Sequence, residues 1–463
     1  MRIQTPRRAT AAATPAGPPA GLGDVLVPGD DGYDDARRTV FAVGRPALVA
    51  RPHDEAEVAA AVRHAARAGL TLSVRSGGHG MTGRATNDGG LVIDLRHLDS
   101  VEVVDPQRHV VRVGAGATWG RVAAALAPHG LAITSGDTGS VGVGGLTLGG
   151  GIGWLVRRHG LTVDSLVAAR VVLADGRTVV ASADQHAGLF WALRGGGGSV
   201  GVVTSLDLVA ARVGPVRFGA VTYALDDAAR LVRGWRDHLR TADEELSSTL
   251  VLAPAADGRP ATATVLVCAS HDDPAAAERS VAPLRRLGTV LADTVATVPY
   301  ASTLADGGHH PPGVRLAARN VVVPRLGDDV VAALVAAAGG DRPPVLAVRA
   351  LGGAVARVLP DGTAFAHRDA EALLVGAAFV PEDATDAAVE EALTGWHGVA
   401  AHGSGAYVNF QGTAAAADLH AAYPPATLAR LRAVGRAYDP GRVFGHVLEP
   451  AGPDREPAPG AGA

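Results

Sequence analysis

Short apolar runs alternate with a segment of helical period near the start of the chain. Residues 48–52 have the pattern of a short strand, and Asp54 can cap a helix over residues 55–68. Two further apolar runs follow at residues 70–74 and 91–95. A strand, a helix and two more strands in this order predict a small β-α-β unit.

The region up to residue 215 predicts further short elements of both kinds. Pro106 and Asp175-Gly176 are turn residues between apolar runs and predict two hairpins. The predicted strands are 101–105, 110–113, 167–173, 178–181 and 202–209, and the predicted helices are 119–126, capped by Thr118, and 189–193. Strands and helices are therefore mixed in a first domain over residues 25–215.

Longer strands and amphipathic helices follow Pro215. The predicted strands are 221–225, 246–252, 261–267, 345–348 and 373–379, and the predicted helices are 228–239, 274–287, 328–338 and 384–396. They predict an antiparallel sheet with helices in a second domain over residues 216–405. A C-terminal segment, residues 406–449, holds a predicted strand at 407–410 and a helix at 427–438. Residues 1–24 and 450–463 are expected to be a disordered leader and tail.

Glycine is abundant, with 60 residues in a chain of 463, and it clusters in two stretches. The first is Arg-Ser-Gly-Gly-His-Gly over residues 75–80. Adjacent glycines let the main chain approach a ligand and direct N–H groups at an anion, and Arg75 would add positive charge. This loop indicates a phosphate-bearing cofactor with His79 as its tether. A plain turn with a solvated histidine is the alternative.

The second stretch, residues 134–153, is so rich in glycine that no ordinary helix or strand is expected. Each glycine costs about 1 kcal/mol relative to alanine in a helix. Close contact between the main chain and a large ligand would compensate for that cost. A flexible linker is the alternative, but a linker lacks the apolar pattern of Val141, Val143, Leu146 and Leu148. Ligand contact is therefore favoured.

Composition and charge exclude several classes of protein. A formal charge of −4 gives no sign of nucleic-acid binding, and no apolar run reaches the roughly 18–20 residues of a membrane span. The first residues lack the apolar core of a secretory signal, so we expect a cytoplasmic protein. Cys268 is the only cysteine, which excludes intrachain disulfides and sites of several thiolates. His309-His310 lacks further ligands at metal spacing, so no metal site is expected, and residues 195–198 do not meet the Rossmann spacing.

Five motifs occur in one order along the chain, and their combination is far more specific than any one of them. They are Arg75-Ser76-Gly77-Gly78-His79; Val141-Gly142-Val143-Gly144-Gly145 with Gly149-Gly150-Gly151-Ile152-Gly153; residues 189–198; Tyr407-x-Asn409-Phe410; and Tyr438-Asp439-Pro440. Together they resemble the berberine-bridge-enzyme-like flavoproteins of the vanillyl-alcohol-oxidase superfamily, from about residue 47 to residue 448. Within that family the chain is most similar to the bacterial 6-hydroxynicotine oxidases of the D-specific type.

The resemblance implies an α+β fold that holds FAD. A PCMH-type FAD-binding domain of two subdomains is joined to an α+β substrate domain with an antiparallel sheet, and the last helix returns to the FAD-binding domain. The histidine at the position of His79 bonds to the 8α carbon of the flavin. Many members add a cysteinyl bond at flavin C6, but Thr138 stands at that position here. A single covalent link is therefore expected.

The resemblance also implies which residues form the site. Tyr407 matches the family's base and Asn409 is its neighbour, so both are candidate catalytic residues. The candidate cofactor contacts are Arg75, Ser76, Gly77, Gly78, His79, Gly80, Gly136, Thr138, Val141, Gly142, Gly144, Gly145, Gly149, Gly153 and Val203. A free tyrosine titrates near pH ~10, so base work at neutral pH needs a nearby positive charge. The sequence does not identify that partner, and Tyr407 could instead orient the substrate.

Family members that use oxygen carry the residues found here at Val141 and Gly136. The resemblance therefore implies an oxidase that moves hydride from a CH–OH or CH–NH group to FAD and then reduces O2 to H2O2. Two alternatives stay open: a flavin dehydrogenase with another acceptor, and a flavoprotein that has lost turnover. The substrate is a small molecule, and a natural-product alcohol, a heterocyclic amine and an oligosaccharide are all compatible with the sequence. The oligomeric state cannot be inferred.

Overall fold

The computed structural model describes residues 21–256, 258–304, 313–413 and 415–444. Its first sheet has four strands in the order β1-β2-β4-β3. The elements of this region are β1 (Asp24–Leu26), α1 (Tyr33–Ala36), β2 (Leu48–Arg51), α2 (Glu55–Ala68), β3 (Leu72–Arg75) and β4 (Leu91–Asp94). Strands β2, β3 and β4 are parallel, and β1 is antiparallel at the edge. The predicted β-α-β unit is confirmed.

The boundaries of helix α2 follow from its end residues. The side chain of Asp54 accepts a hydrogen bond from the Glu57 amide, and Gly69 ends the helix with a φ of 63°. Such a left-handed residue at the end of a helix is usually glycine, because it has no Cβ to clash. The buried face of α2 packs on the first sheet through Val58, Val62 and Ala65.

A second sheet of five strands lies in the same predicted domain as the first sheet, in the order β5-β6-β10-β8-β9. Its region contains β5 (Val101–Asp105), β6 (Val110–Gly114), α3 (Trp119–Leu126), β7 (Leu131–Ala132), α4 (Val143–Gly149), α5 (Val156–His159), β8 (Leu166–Val172), β9 (Thr178–Ser182), α6 (Ala187–Leu193), β10 (Val202–Val209) and β11 (Ala211–Arg212). All neighbouring strands of this sheet are antiparallel. One apolar core joins it to the first sheet, so the two sheets form one packed unit.

Strands β7 and β11, given above, pair with each other as a separate two-stranded sheet. A sheet of eight strands, all antiparallel, lies in the second half of the chain. Its order is β15-β12-β14-β13-β18-β19-β17, with β16 paired to β12. The region contains β12 (Val216–Ala224), α7 (Ala228–Thr241), β13 (Leu246–Ala253), β14 (Thr262–Ala269), α8 (Pro274–Val281), β15 (Val290–Asp293), β16 (Ala296–Val298), β17 (Val314–Val323), α9 (Asp328–Ala338), β18 (Val345–Ala350), β19 (Ala372–Pro381), α10 (Asp386–Ala392) and α11 (Trp396–Ala400). Helices α7 to α11 share a separate apolar core with it.

The C-terminal segment packs back against the first domain. It contains α12 (Ala416–Ala422) and α13 (Pro425–Tyr438). Leu428 and Leu431 of α13 share an apolar cluster with Trp191 of α6. The structure thus has the expected α+β class. Among the described residues no helix is both long and apolar enough to cross a membrane.

Two predicted local structures are wrong in the region that carries the motifs. The glycine-rich stretch contains helix α4, although no helix was expected there. Burial of Val143, Thr147 and Leu148 explains how this helix forms despite its glycines. Residues 407–410 do not form a strand, because Val408–Phe410 is a 3₁₀ turn. The Asn320 side chain bonds the main-chain N–H and C=O of Tyr407, which occupies the groups that a neighbouring strand would need.

Other differences lie in the second half and at the ends of the chain. The predicted helix 384–396 is two helices, α10 and α11, and strand β17 was not predicted. Of the predicted leader, Leu22 is buried in the core and Asp24 begins β1. The rest of the leader, the predicted tail and His309-His310 lie outside the described residues.

Candidate functional site

The loop at residues 75–80 leaves the carboxyl end of β3 and meets the second glycine stretch. A Cβ added at Gly77 would overlap the amide of Gly142, and one added at Gly142 would overlap the amide of Gly77. The Ser76 hydroxyl also donates to the Ala115 carbonyl at 2.5 Å. Glycine is required at both positions because the two main chains touch. The two stretches therefore form one site.

Arg75 was expected to offer its positive charge to a cofactor phosphate, but it pairs with a carboxylate of the protein. Its side chain is buried, and its guanidinium lies 2.8 Å from a carboxylate oxygen of Asp94. Burial raises the pKa of Asp94, but the adjacent Arg75 and Arg96 outweigh that effect and hold the pKa below its usual value. Arg75 is therefore not a free charge for an anion. Arg96, which also contacts Asp94, and Arg51 at 3.8 Å leave this cluster positive, with three cations around one carboxylate.

A cleft of about 800 Å³ opens beside this loop and fits a phosphate-bearing cofactor. Its lining includes Arg38, Gly77, Gly78, Arg96 and Arg121. Within the described part of the chain, the amide N–H groups of Gly77, Gly78 and His79 donate to no protein acceptor. Free amides in a glycine loop with positive charge nearby are a donor set that suits a pyrophosphate. The residues present thus fit FAD.

His79 stands at the end of this loop as a half-buried, neutral imidazole. Its Nε2 atom lies 3.0 Å from the hydroxyl of Ser140, which belongs to the second glycine stretch. Burial lowers the pKa of His79, so the ring is uncharged at neutral pH. A neutral ring keeps a nitrogen lone pair, which a covalent bond to a cofactor requires. Nδ1 has no acceptor or donor among the described residues.

Tyr407 is the centre of a second group of side chains, on the other side of the glycine stretch. Its hydroxyl accepts hydrogen bonds from the Gly151 amide at 2.8 Å and from Asn409 Nδ2 at 2.8 Å. Its ring packs edge-on against Phe365 and Phe410, with centroids 6.0 and 5.3 Å away. Both acceptor positions of the oxygen are filled, so its own hydrogen is the group left to bond a substrate.

The Tyr407 hydroxyl is protonated at neutral pH. Burial raises the pKa of Tyr407 to about 12, although the bonds from Gly151 and Asn409 and the charge of Arg349 each act to lower it. Of the two roles that the sequence left open, the buried hydroxyl favours orientation of the substrate over proton abstraction.

Arg349 and Asp137 are site residues that sequence reasoning missed. The guanidinium of Arg349 lies 2.5 Å from the Asp137 carboxylate and 5.3 Å from the centroid of the Phe410 ring. Burial raises the pKa of Asp137, but the charge of Arg349 and the hydrogen bonds from Arg349 and Thr138 together hold that pKa below its usual value. Arg349 is thus the cation near Tyr407 that the sequence could not name. It alternates with apolar residues on β18, a pattern that in isolation indicates only a strand.

Several predicted contact glycines face protein atoms. A Cβ at Gly149 would overlap the Asn409 side chain, and one at Gly153 would overlap the Ser135 carbonyl. Packing against the C-terminal segment therefore requires glycine at position 149, and packing against the main chain of Ser135 requires it at position 153. Contact of both glycines with a cofactor stays a prediction that concerns main-chain atoms. At Gly136 a Cβ would press on Leu146 at 2.9 Å.

The remaining predicted contacts differ in their surroundings. Gly80 and Gly145 have open space where a Cβ would stand, whereas Gly144 packs on Ala115. Thr138 bonds the Asp137 carboxylate through its hydroxyl. Val141 packs partly against the core, and Val203 lies inside the core on β10. The side chain of Val203 therefore serves packing.

Comparison with known proteins gives the family. Residues 46–182 match a family model described as an FAD binding domain. The chain is 32% identical over 453 residues to (R)-6-hydroxynicotine oxidase of Paenarthrobacter nicotinovorans, covering 92% of this chain and 95% of that protein. The chain belongs to this family of FAD-linked oxidoreductases, whose structural relatives include BBE-like proteins.

Solved structures agree with this assignment. The crystal structure of 6-hydroxy-D-nicotine oxidase from Arthrobacter nicotinovorans superimposes with a TM-score of 0.83 at 29% identity, over 93% of this chain and 98% of that one. Glucooligosaccharide oxidase from Acremonium strictum, described with a 6-S-cysteinyl, 8α-N1-histidyl FAD, gives a TM-score of 0.80 at 26% identity, over 92% and 96%. The PCMH-type fold and the FAD-linked oxidoreductase class are thus confirmed.

Proposed function

We propose that this protein is an FAD-dependent oxidase that acts on a CH–NH group of a small heterocyclic amine and forms H2O2. FAD, when bound, supplies the two-electron oxidation and the reaction with oxygen. The observation that carries the choice of substrate is the protonated hydroxyl of Tyr407, held by Gly151 and Asn409. The relative named (R)-6-hydroxynicotine oxidase supports the same class.

The residues of the first domain would hold the cofactor. The free amides of Gly77 and Gly78 would bind the pyrophosphate, and Arg38 and Arg96 would balance its charge. The cleft is large enough to take the extended part of the cofactor. Gly80, Gly142, Gly144 and Gly145 would complete the surface on which it lies.

His79 would form the single covalent link. Its Nε2 atom is engaged by Ser140, which leaves Nδ1 as the atom available for the bond. The glucooligosaccharide oxidase named above carries an N1-histidyl link, which supports this choice. Thr138 has no thiol, so a second link at that position would not form.

Tyr407 would orient the substrate by donating its hydrogen to a polar atom of the ring. A neutral amine can lose hydride without prior removal of a proton, whereas an alcohol needs a base for its O–H. Within the described residues the groups around this hydroxyl offer no strong free base, because the Asp137 carboxylate is paired with Arg349. The site is therefore better suited to an amine than to a sugar alcohol.

A peroxide-linked screen of purified protein tests this proposal. Heterocyclic secondary amines, oligosaccharides and secondary alcohols are supplied in air, and H2O2 is measured. We expect peroxide with amines and rapid reoxidation of the reduced flavin by oxygen. Turnover of oligosaccharides alone would contradict the amine assignment. Bleaching that persists in air would favour the dehydrogenase alternative, and no bleaching with any donor would favour a flavoprotein without turnover.

A further inference from the structure

Three potential metal ligands lie together at the carboxyl end of the parallel strands of the first sheet, outside the motifs described above. Asp24 begins β1, His53 lies between β2 and α2, and His97 follows the end of β4. Strands β2 and β4 are parallel neighbours, so the residues that follow them lie together at the carboxyl end of these strands. Strand β1 is antiparallel and starts there, with Asp24 opposite Arg51. The topology alone therefore brings the three residues together.

The ligand atoms have the spacing of a transition-metal site. The Nε2 atoms of His53 and His97 each lie 3.5 Å from Oδ2 of Asp24. The two imidazole rings are stacked, with centroids 4.5 Å apart and planes 9° apart. Ligands bound tetrahedrally at about 2.0–2.1 Å from Zn²⁺ lie roughly 3.4 Å from one another. An ion could therefore be bound with small side-chain movements.

A fourth residue prepares one of the imidazoles for this role. Nδ1 of His53 lies 3.3 Å from a carboxylate oxygen of Glu57, and the same oxygen accepts the His53 amide at 2.7 Å. An imidazole that donates its Nδ1 hydrogen to a carboxylate carries its lone pair on Nε2, the atom that faces Asp24. Such a carboxylate–histidine pair orients the ligands of many zinc sites.

We propose that Asp24, His53 and His97 bind one divalent transition-metal ion of the Zn²⁺ type, with water completing the coordination. Two imidazoles and one carboxylate suit Zn²⁺ better than Mg²⁺ or Ca²⁺, which prefer oxygen ligands only. The side chains are exposed by 51% for His53, 36% for His97 and 64% for Asp24, so an ion can enter from solvent.

The bound ion would hold the edge strand β1 against the rest of the first sheet. Strand β1 has only three residues and pairs with β2 alone. A metal bound to Asp24 joins its first residue to the segments that follow β2 and β4. This site was not expected from the sequence, because its ligands are spread over residues 24–97 without a short motif. Stabilisation of the folded state by a bound ion follows from mass action.

Equilibrium dialysis of the untagged holoenzyme against ZnCl2, followed by metal analysis, tests the proposal. We expect one Zn²⁺ per chain and an increase in Tm on addition of Zn²⁺. His53→Ala and His97→Ala should each weaken binding at least tenfold and abolish the Tm increase. His129→Ala removes an exposed histidine elsewhere and should change neither. Glu57→Gln should weaken binding about tenfold, as removal of a partner behind a metal ligand does.

Two results would contradict the proposed metal site. One is wild-type protein that binds no Zn²⁺ at 100-fold molar excess, in which case the histidines are simple ion-pair partners of Asp24. The other is equal Zn²⁺ binding by wild type and by the His53→Ala/His97→Ala double variant, which would place the ion elsewhere. Asp24→Asn keeps the shape of the side chain, so it replaces any histidine variant that fails to fold, and it should also weaken binding at least tenfold.

Discussion

The side-chain amide of Asn409 donates a hydrogen bond of 2.8 Å to the hydroxyl of Tyr407, two residues earlier in the same turn. The same Nδ2 atom donates to the Leu146 carbonyl of α4 at 3.0 Å. Asn409 therefore fixes the hydroxyl of Tyr407 relative to the glycine-rich helix. Two motifs that lie far apart in sequence meet at this one amide.

Asn409→Ala should lower kcat/KM about tenfold, because the hydroxyl of Tyr407 loses one of the two donors that set its direction. The bound flavin should remain, since Asn409 is not part of the loop at residues 75–80. Peroxide release and the flavin absorbance give the two measurements. Loss of flavin together with activity would show that Asn409 supports cofactor binding instead.

Tyr407→Phe distinguishes orientation from base catalysis. The pKa of Tyr407, raised by burial to about 12, keeps the hydroxyl protonated across the neutral range. We therefore expect Tyr407 to contribute no inflection to the pH profile of kcat/KM between pH 6 and 10, and a loss of activity only as its hydrogen is removed at higher pH. An inflection in the wild type that disappears in Tyr407→Phe would establish a base role.

Gly149→Ala should displace Asn409, because the added Cβ would overlap its side chain. We expect at least a tenfold loss of kcat/KM with the flavin retained. Gly188→Ala is a matched control within helix α6, where a Cβ meets nothing within 4 Å. That change should leave activity intact and stabilise the fold by up to about 1 kcal/mol. Equal effects of the two substitutions would show that packing on Asn409 is unimportant.

Asp94→Asn should destabilise the protein strongly, because it leaves the buried cation of Arg75 without its counter-charge. Breaking such a pair costs about 3–5 kcal/mol. The pKa of Asp94 is lowered in the fold, so its contribution is present above the unfolded pKa and is lost as pH falls through the folded pKa. Urea unfolding should show a large difference from wild type at pH 7 and a smaller one at pH 3. A constant difference would mean that charge is not the cause.

Local patterns were sufficient for much of the first domain. Helix α2 could be predicted because Asp54 and Gly69 mark its ends, and the hairpin of β5 and β6 because its strands are close in sequence. Helix α4 could not, since the burial that offsets the cost of its glycines comes from residues distant in the chain. The same limit applies to the turn at Tyr407, which depends on a side chain in β17.

The residues of the candidate site also fall into two groups: those that a local motif reveals and those that only the fold brings together. The loop at residues 75–80 and Tyr407 could be proposed as parts of the site because their motifs are continuous in sequence. Arg349 and Asp137 form their ion pair across 212 residues, and the three ligands of the proposed metal site lie at the start of β1 and in the segments that follow β2 and β4. No single-sequence pattern contains those distances. The actual partner of Arg75, Asp94, lies on the neighbouring parallel strand and became evident only from the register of the sheet.

Peptide mapping of the acid-denatured protein by mass spectrometry tests the central claim most directly. We predict that FAD remains attached after precipitation, that the modified peptide contains His79 as the modified residue, and that Thr138 carries no flavin. His79→Ala should release its flavin into the supernatant, while Ser140→Ala should still carry the link. Protein that retains no flavin after denaturation, or a flavin attached to another residue, would contradict the tether and the role given to the loop at residues 75–80.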